Sequence, residues 1–280
     1  MDNSNVVKPL IIYHGNCADG FSAAWVFWKL LGKHANYVAG VYQQDPPDCA
    51  FRDVYLVDFS YKRAVVEYML SQANSITLID HHKTALEDLE PLKDRIGWYC
   101  DLERSGAVLA WDYLFPNESR PPLLGHIQDR DLWQFKLPGT REIQANVFSY
   151  EYTFEQWDKL MAADQVELLK MTVAGAAIER KHHKDIAELV KVCKRRMVIG
   201  NYDVPVASLP YTLSSDAGHL MAQHEVFAAC YIDTAEKRVF SLRSAEDGID
   251  VSAIAKIYGG GGHTKAAGFA VPRDHPLAIG

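Results

Sequence analysis

The sequence predicts an α/β protein. A doubly wound, mainly parallel sheet forms an N-terminal domain, and a helical connector joins it to a smaller α/β C-terminal domain. Three short apolar runs, Leu10–Tyr13, Val54–Val57 and Ile76–Ile79, are separated by stretches patterned as helices. Strands this apolar belong to parallel sheets covered on both faces. From Tyr202 onward the pattern changes to closely spaced short strands, the mark of a second folding unit. The expected boundaries are 1–150 for the first domain, 151–200 for the connector and 201–280 for the second domain.

Taken in order, the strand Leu10–Tyr13 runs into His14, and Asp19–Leu31 places Phe21, Ala24, Trp25, Trp28 and Leu31 at helical spacing. Residues 43–48, QQDPPD, form a turn-rich connector. The strand Val54–Val57 ends at Asp58, Tyr61–Ala73 is helical, and Ile76–Ile79 ends at Asp80-His81-His82. A further helix opens at Arg104-Ser-Gly-Ala107 and runs to Phe115, with Ser105 as its N-cap. After the break NESRPP come a short helix and Gln128-Asp-Arg-Asp-Leu-Trp133. From Phe154 to about Val198 the chain is rich in helix formers and has no proline. Strands then follow at Val204–Leu209, Val226–Ile232 and Val239–Arg243, a helix at Asp250–Ile257, a run of four glycines at 259–262, and a last strand at Phe269–Val271.

With 280 residues, 48% of them hydrophobic and 23% charged, each domain can bury a core without staples. The formal charge of −7 disfavours a surface built to grip long nucleic acid, whose binding rests on phosphate neutralisation by Lys and Arg. A few-nucleotide ligand is compatible with it. The five cysteines are scattered without a C-x-x-C pair, which suits a reducing compartment. The segment MDNSNVVKP lacks the basic and apolar regions of a leader, and no apolar run approaches the ~18 residues needed to span a bilayer. These features predict a cytoplasmic protein with no membrane partner, and they leave a homodimer open.

The strand ends carry the chemistry. In an open parallel sheet, ligands sit at the carboxyl ends of the strands, and three successive strands here end on metal-binding side chains. His14 and Asp19 flank a strand-to-helix loop, and Gly20 allows backbone to approach a ligand closely. Asp58, midway in the set, is the residue best placed to bridge two ions. In Asp80-His81-His82 the two imidazoles face different ways. His81 is expected on metal and His82 on the substrate or leaving group, with Asp80 orienting an imidazole from behind. Of Asp129 and Asp131, the reading favours Asp129 as a further ligand. His14, Asp19, Asp58, His81 and Asp129 together supply mixed nitrogen and oxygen donors, which suit one or two Mn2+ ions, with Mg2+ as an alternative.

These residues resemble the DHH phosphoesterase superfamily, named for the triplet found here at 80–82. The resemblance extends to Gly259-Gly-Gly-Gly-His-Thr-Lys-Ala-Ala-Gly268, which is similar to the GGGH motif of the DHH-associated C-terminal domain. It implies a Mn2+-dependent hydrolase of phosphodiester or phosphoanhydride bonds. It also implies that Arg243, Gly260, Gly261, Gly262 and His263 contact substrate phosphate or base. One position departs from the pattern: the first motif carries two aspartates separated by one residue, and here Cys17 stands where the first would be. Cys17 is either a soft ligand or a small turn residue.

The expected reaction is in-line hydrolysis of short oligonucleotides, or of linear or cyclic dinucleotides, to mononucleotides by a metal-activated water. The rival readings are a polyphosphate or pyrophosphate hydrolase and a catalytically weak nucleotide sensor. Trp133 and Tyr258 are the aromatics considered for base stacking, and packing is the commoner role for both.

Overall fold

The computed structural model describes residues 7–42 and 44–279. The first six residues, which begin the segment read for a leader, and Gln43, which opens the turn-rich connector, lie outside them. The chain folds into two compact units, Met1–Glu179 and Arg180–Gly280.

The first unit runs β1 (Leu10–His14), α1 (Ala18–Leu31), β2 (Asn36–Gly40), β3 (Asp53–Val57), α2 (Arg63–Leu70), β4 (Ser75–Asp80), α3 (Lys83–Leu89), β5 (Gly97–Cys100), α4 (Gly106–Leu114), α5 (Pro122–Asp131), α6 (Thr140–Val147), α7 (Phe154–Met161) and the start of α8 (Gln165–Cys193). Its five strands are ordered β2-β1-β3-β4-β5 and all pair in parallel. The order reverses between β1 and β3, so the switch point, where such sheets hold ligands, lies between His14 and Asp58.

The strands are apolar throughout because both faces are buried. Alternate side chains enter opposite cores. Ile11, Val57 and Ile79 join Trp25, Phe27 and Val108 on one side, whereas Leu10, Ile12, Leu56 and Leu78 join Val66, Met69 and Leu89 on the other. Each of two buried tryptophans finds a partner for its indole N–H. Trp157 donates to Ser22 Oγ at 2.8 Å, and Trp25 to Asp158 Oδ1 at 3.2 Å. These bonds fasten α7 to α1. Helix α8 seats directly on α6, since a Cβ at Gly175 would lie 1.8 Å from the Glu142 carbonyl oxygen.

The second unit contains the remainder of α8, then β6 (Arg195–Ile199), β7 (Tyr202–Ser208), α9 (Ser214–Ala222), β8 (Ala228–Asp233), β9 (Lys237–Arg243), α10 (Val251–Ile257), β10 (Gly261–Gly262), β11 (Ala266–Pro272) and α11 (Pro276–Ile279). Its sheet order is β10-β11-β9-β8-β7-β6, antiparallel except where β7 pairs β8. The β6–β7 hairpin turns on Gly200 and Asn201, with φ of +56° and +72°, the left-handed pair that a two-residue hairpin requires.

The expected fold class is therefore present, with several local differences. The segment expected to be helical from Phe154 to about Val198 breaks at residues 162–164, and its last four residues, 195–198, belong to the strand Arg195–Ile199. The helix expected over Tyr61–Ala73 occupies only Arg63–Leu70. Seven elements, β2, α3, β5, α6, α9, β10 and α11, had no counterpart in the sequence reading. Strand β2 is an edge strand whose residues are mostly half-buried, so it lacks the unbroken apolar run of its neighbours. The stretch 151–200 is divided between the two units rather than standing apart. Among the described residues, no helix is long and apolar enough to cross a membrane.

Candidate metal centre

Because β1, β3 and β4 are in parallel register, with Tyr13 opposite Val57 and Val57 opposite Ile79, the residues that follow them emerge side by side. Asp58 leaves β3 with φ +54°, a left-handed conformation that Asp tolerates better than most residues. Its N–H donates to the Ile79 carbonyl at 2.9 Å. The Asp58 carboxylate then lies at the centre of the group. Oδ1 is 3.0 Å from His81 Nε2, and Oδ2 is 3.4 Å from His14 Nδ1. His81 Nε2 is also 3.4 Å from Asp131 Oδ2 and 3.9 Å from Asp19 Oδ2. Within the first unit, two sets of side chains place one ligand atom each within 4.8 Å of one another, His14/Asp58/His82 and Asp19/Asp58/His81, and Asp58 belongs to both.

The charge balance explains what this group is suited to hold. Asp19, Asp58 and His81 are buried. Burial pushes the Asp19 carboxyl well above the usual carboxylate range, and the neighbouring Asp58 and Asp131 add to the shift. Burial raises Asp131 too, with His81 opposing and Asp58 adding to the rise. Burial also works against ionisation of Asp58, but the imidazoles of His14 and His81 that face it outweigh burial and hold Asp58 well below that range. For His81, burial would lower the pKa, yet Asp58, Asp131 and Asp19 drive it up to about 10. Asp58 Oδ2, Asp131 Oδ2, Asp80 Oδ2 and His14 Nδ1 are buried without a hydrogen-bond partner among the described residues. Buried polar atoms are seldom left so. Clustered carboxylate oxygens with imidazole nitrogens are the donor set of a divalent cation such as Mn2+ or Mg2+, and the residues fit one.

Two supports surround the group. Asp19 accepts the N–H of Gly106 at 2.6 Å and of Ala107 at 3.2 Å, using the N-terminus of α4 as an anion site. Ser105 caps that helix as expected, accepting the Val108 N–H. Gly106 was not singled out from sequence. A Cβ there would lie 2.5 Å from Asp58 Cβ, and the only signal was Ser-Gly at a helix start. Asp80 Oδ1 accepts the backbone N–H of His81 and of His82 at 2.8 and 3.3 Å and pairs with His82 Nδ1 at 2.7 Å. That contact fixes the orientation of the His82 ring and makes Nε2 the atom for metal or substrate. Asp80→Asn, which keeps shape but loses charge, is expected to weaken Mn2+ binding by roughly 10–100-fold. Calorimetric titration of the variant checks this, and an unchanged affinity would exclude the supporting role.

Several sequence expectations change. Asp129 is not in the group; Asp131 is. Helix α5 continues through Asp131, so the two carboxylates point about 200° apart around it. Asp129 turns the other way and accepts the N–H of Lys136 and Leu137 and the hydroxyl of Thr140, at 2.8, 3.0 and 2.6 Å. Burial opposes its ionisation, but those bonds hold its pKa below the ordinary value. The turn it binds carries Trp133 and Phe135 at φ +56° and +50°, a conformation costing about 1–3 kcal/mol per bulky residue. Gly20 is close-packed against His14 rather than a ligand, since a Cβ there would meet the His14 carbonyl oxygen at 2.5 Å. Cys17 stands at the N-cap of α1 without a capping bond. It is half-buried, and burial together with Asp58 raises its thiol pKa.

Neither aromatic considered for stacking is open to it as placed. The Arg130 and Arg141 guanidinia pack on the Trp133 ring at 5.6 and 5.5 Å. Tyr258 stacks on Phe269 at 4.4 Å, and its hydroxyl accepts the Gly200 N–H. His182, on the part of α8 that belongs to the second unit, pairs with Asp216 at 3.0 Å.

In the second unit, Arg243 ends β9. Its Nη1 donates to the Leu242 carbonyl and its Nη2 to Ser215 Oγ, both at 2.8 Å, and its side chain lies over Gly218, where a Cβ would be 2.7 Å away. Gly261 and Gly262 form β10 against Gly268 and Ala267. Gly260 needs its missing side chain, because a Cβ would reach 2.1 Å from the Gly268 carbonyl oxygen. His263 begins the tight turn to β11, donating its N–H to the Ala266 carbonyl at 2.8 Å.

No family model matches the chain. It is 30% identical, over an alignment of 287 residues, to the uncharacterised protein R106 of Acanthamoeba polyphaga mimivirus, covering 93% of this chain and 67% of that one. It is 26% identical over 221 residues to the oligoribonuclease NrnB of Bacillus subtilis, covering 70% of this chain and 53% of that one. The chain thus spans two thirds of the first relative's length and about half of the second's. Among solved structures, the DHH domain of a member of a family of ribosomal proteins superposes with a TM-score of 0.58 at 14% identity, covering 95% of this chain and 83% of that one. The chain belongs to one family with that viral protein, and its fold is that of a DHH domain.

Proposed function

We propose that this protein is a phosphodiesterase that uses a divalent cation, Mn2+ in particular, to hydrolyse short oligonucleotides or dinucleotides to mononucleotides. The observation that carries the reading is the position of Asp58 in both ligand sets at the switch point of the sheet. Asp58 holds the centre together, with His14 on one side and Asp19, His81 and Asp131 on the other, and His82 beside it is kept for the substrate. A bound divalent cation supplies Lewis acidity toward the phosphoryl oxygens and toward water.

The chain's own groups then orient the substrate and move its protons. His82, braced by Asp80, presents Nε2 toward the leaving oxygen and can hand it a proton. Arg243, held by Ser215, offers its guanidinium to substrate phosphate. The turn at Gly260–His263, whose Gly260 and His263 N–H groups bond to the Ala255 and Ala266 carbonyls, leaves a side-chain-free approach for a terminal phosphate. The similarity to an oligoribonuclease supports short RNA as a substrate class, and the net charge of −7 disfavours long polyanions.

The test is Mn2+-dependent hydrolysis of a linear dinucleotide, a cyclic dinucleotide, a nucleoside bisphosphate and polyphosphate. Turnover of the linear dinucleotide is expected. Turnover of polyphosphate alone would move the function to phosphoanhydride cleavage. Tight nucleotide binding without turnover would make the protein a sensor.

The histidines impose a pH dependence. Cation binding must displace the His81 proton, which the metal-free protein holds up to about 10. Apparent Mn2+ affinity is therefore expected to rise with pH, by about tenfold per unit for each proton displaced, and to level off near that value. The metal-free fold behaves oppositely. The raised His81 pKa stabilises it fully below the ordinary value of 6.5, and this contribution is lost as pH rises toward 10. Calorimetric titrations between pH 6 and 9 (roughly the range in which Mn2+ stays soluble and His81 holds its proton) measure the slope. A flat profile would remove His81 from the centre.

A further inference from the structure

We propose that Asp129 is a positioning residue for the metal centre: it clamps the turn after α5 and thereby fixes Asp131 against His81. The inference rests on the reading of Asp131 as part of that centre. Asp129 is 5% exposed and is the hub of the turn. Its carboxylate accepts the N–H of Lys136 and Leu137 and the Thr140 hydroxyl. Its carbonyl accepts the N–H of Gln134 and Phe135. One residue thus ties down most of the segment that leaves Asp131.

The segment needs such a tie because its conformation is unfavourable by itself. Trp133 and Phe135 are both left-handed, where large L side chains are strained. Their rings are also held from outside. Arg130 and Arg141 pack on Trp133, and Arg141 lies 3.7 Å from the centre of the Phe135 ring. Arg141 belongs to α6, as does Thr140, so the clamp connects the end of α5 to the start of the next helix. Asp131, by contrast, has its Oδ2 buried without a hydrogen-bond partner among the described residues and 3.4 Å from His81 Nε2. The fixed backbone holds it there, with the Leu132 N–H on the Gln128 carbonyl and the Trp133 N–H on the Arg130 carbonyl, each at 2.9 Å. Without the Asp129 carboxylate, the turn would relax toward right-handed φ values and carry Asp131 with it.

The experiment is a Mn2+ titration by calorimetry on the full chain, with melting temperature measured in parallel. Asp131→Ala sets the scale of what losing that carboxylate costs. Asp129→Asn keeps the shape but replaces acceptor oxygen by a donor, and it is expected to weaken Mn2+ binding by roughly 10–100-fold while the protein stays folded. Thr140→Val, which removes one bond to the clamp, should weaken binding in the same direction and by less. It decides the matter if Asp129→Asn does not fold. A lowered melting temperature with wild-type Mn2+ affinity would mean that Asp129 is merely structural and would overturn the proposal. Wild-type affinity in Asp131→Ala would overturn the metal role of Asp131 itself, and the positioning role with it.

Discussion

Asp58→Ala is expected to lower kcat/KM for a dinucleotide by on the order of 10³-fold or more while the chain still folds. The magnitude follows from the position. The substitution withdraws a donor from both ligand sets at once, and single preorganised electrostatic groups are already worth about 10²–10³ in rate. The fold survives because Asp58 occupies a loop whose N–H bond to Ile79 does not involve the side chain. Removing the carboxylate also leaves His14 and His81 without their nearest anion, so His81 should give up its proton at lower pH. Assay of the purified variant alongside NMR titration of the His81 ring measures both effects. A variant retaining a tenth of wild-type activity would exclude Asp58 from the centre.

Gly106→Ala is expected to damage fold and site together, although it adds a single methyl group. That methyl would lie 2.5 Å from Asp58 Cβ and 2.9 Å from its Oδ1, inside any permitted contact. Either α4 retreats or Asp58 turns away. The first breaks the Gly106 N–H bond to Asp19, and the second opens both ligand sets. Overpacking of this kind costs about 1–3 kcal/mol, and displacement of the carboxylates should cost Mn2+ affinity in addition. Thermal melting with and without Mn2+ separates the two: the stabilisation conferred by the ion should shrink as well as the baseline stability. An alanine variant with wild-type melting in both conditions would contradict the close approach.

Much of this was legible in the chain because strands buried on both faces write themselves as unbroken apolar runs. The residue after each run is then marked, and His14, Asp58 and Asp80-His81-His82 could be found by position alone. The choice between Asp129 and Asp131 could not. It depends on whether the helix continues to residue 131, and that segment, HIQDRD, has too little apolar periodicity to say. Gly106 was invisible for another reason. Its importance lies in a contact with Asp58, far away in sequence, and no local pattern encodes such a contact. Strand β2 and the start of β6 were missed because edge strands bury little, and Arg195-Arg196 reads as the charged end of a helix.

The unbroken course of α8 governs how this protein can be taken apart. A fragment ended at residue 150 would discard Trp157, Leu160, Met161, Leu168 and Met171, all buried in the first core. One begun at 201 would discard Ile186 and Val190, which lie under the second sheet. Each fragment would present raw apolar surface to water and invite aggregation. Deletion variants that respect the packing instead divide the chain within the helix, near Glu179, and treat each half of α8 as the outer wall of its own unit.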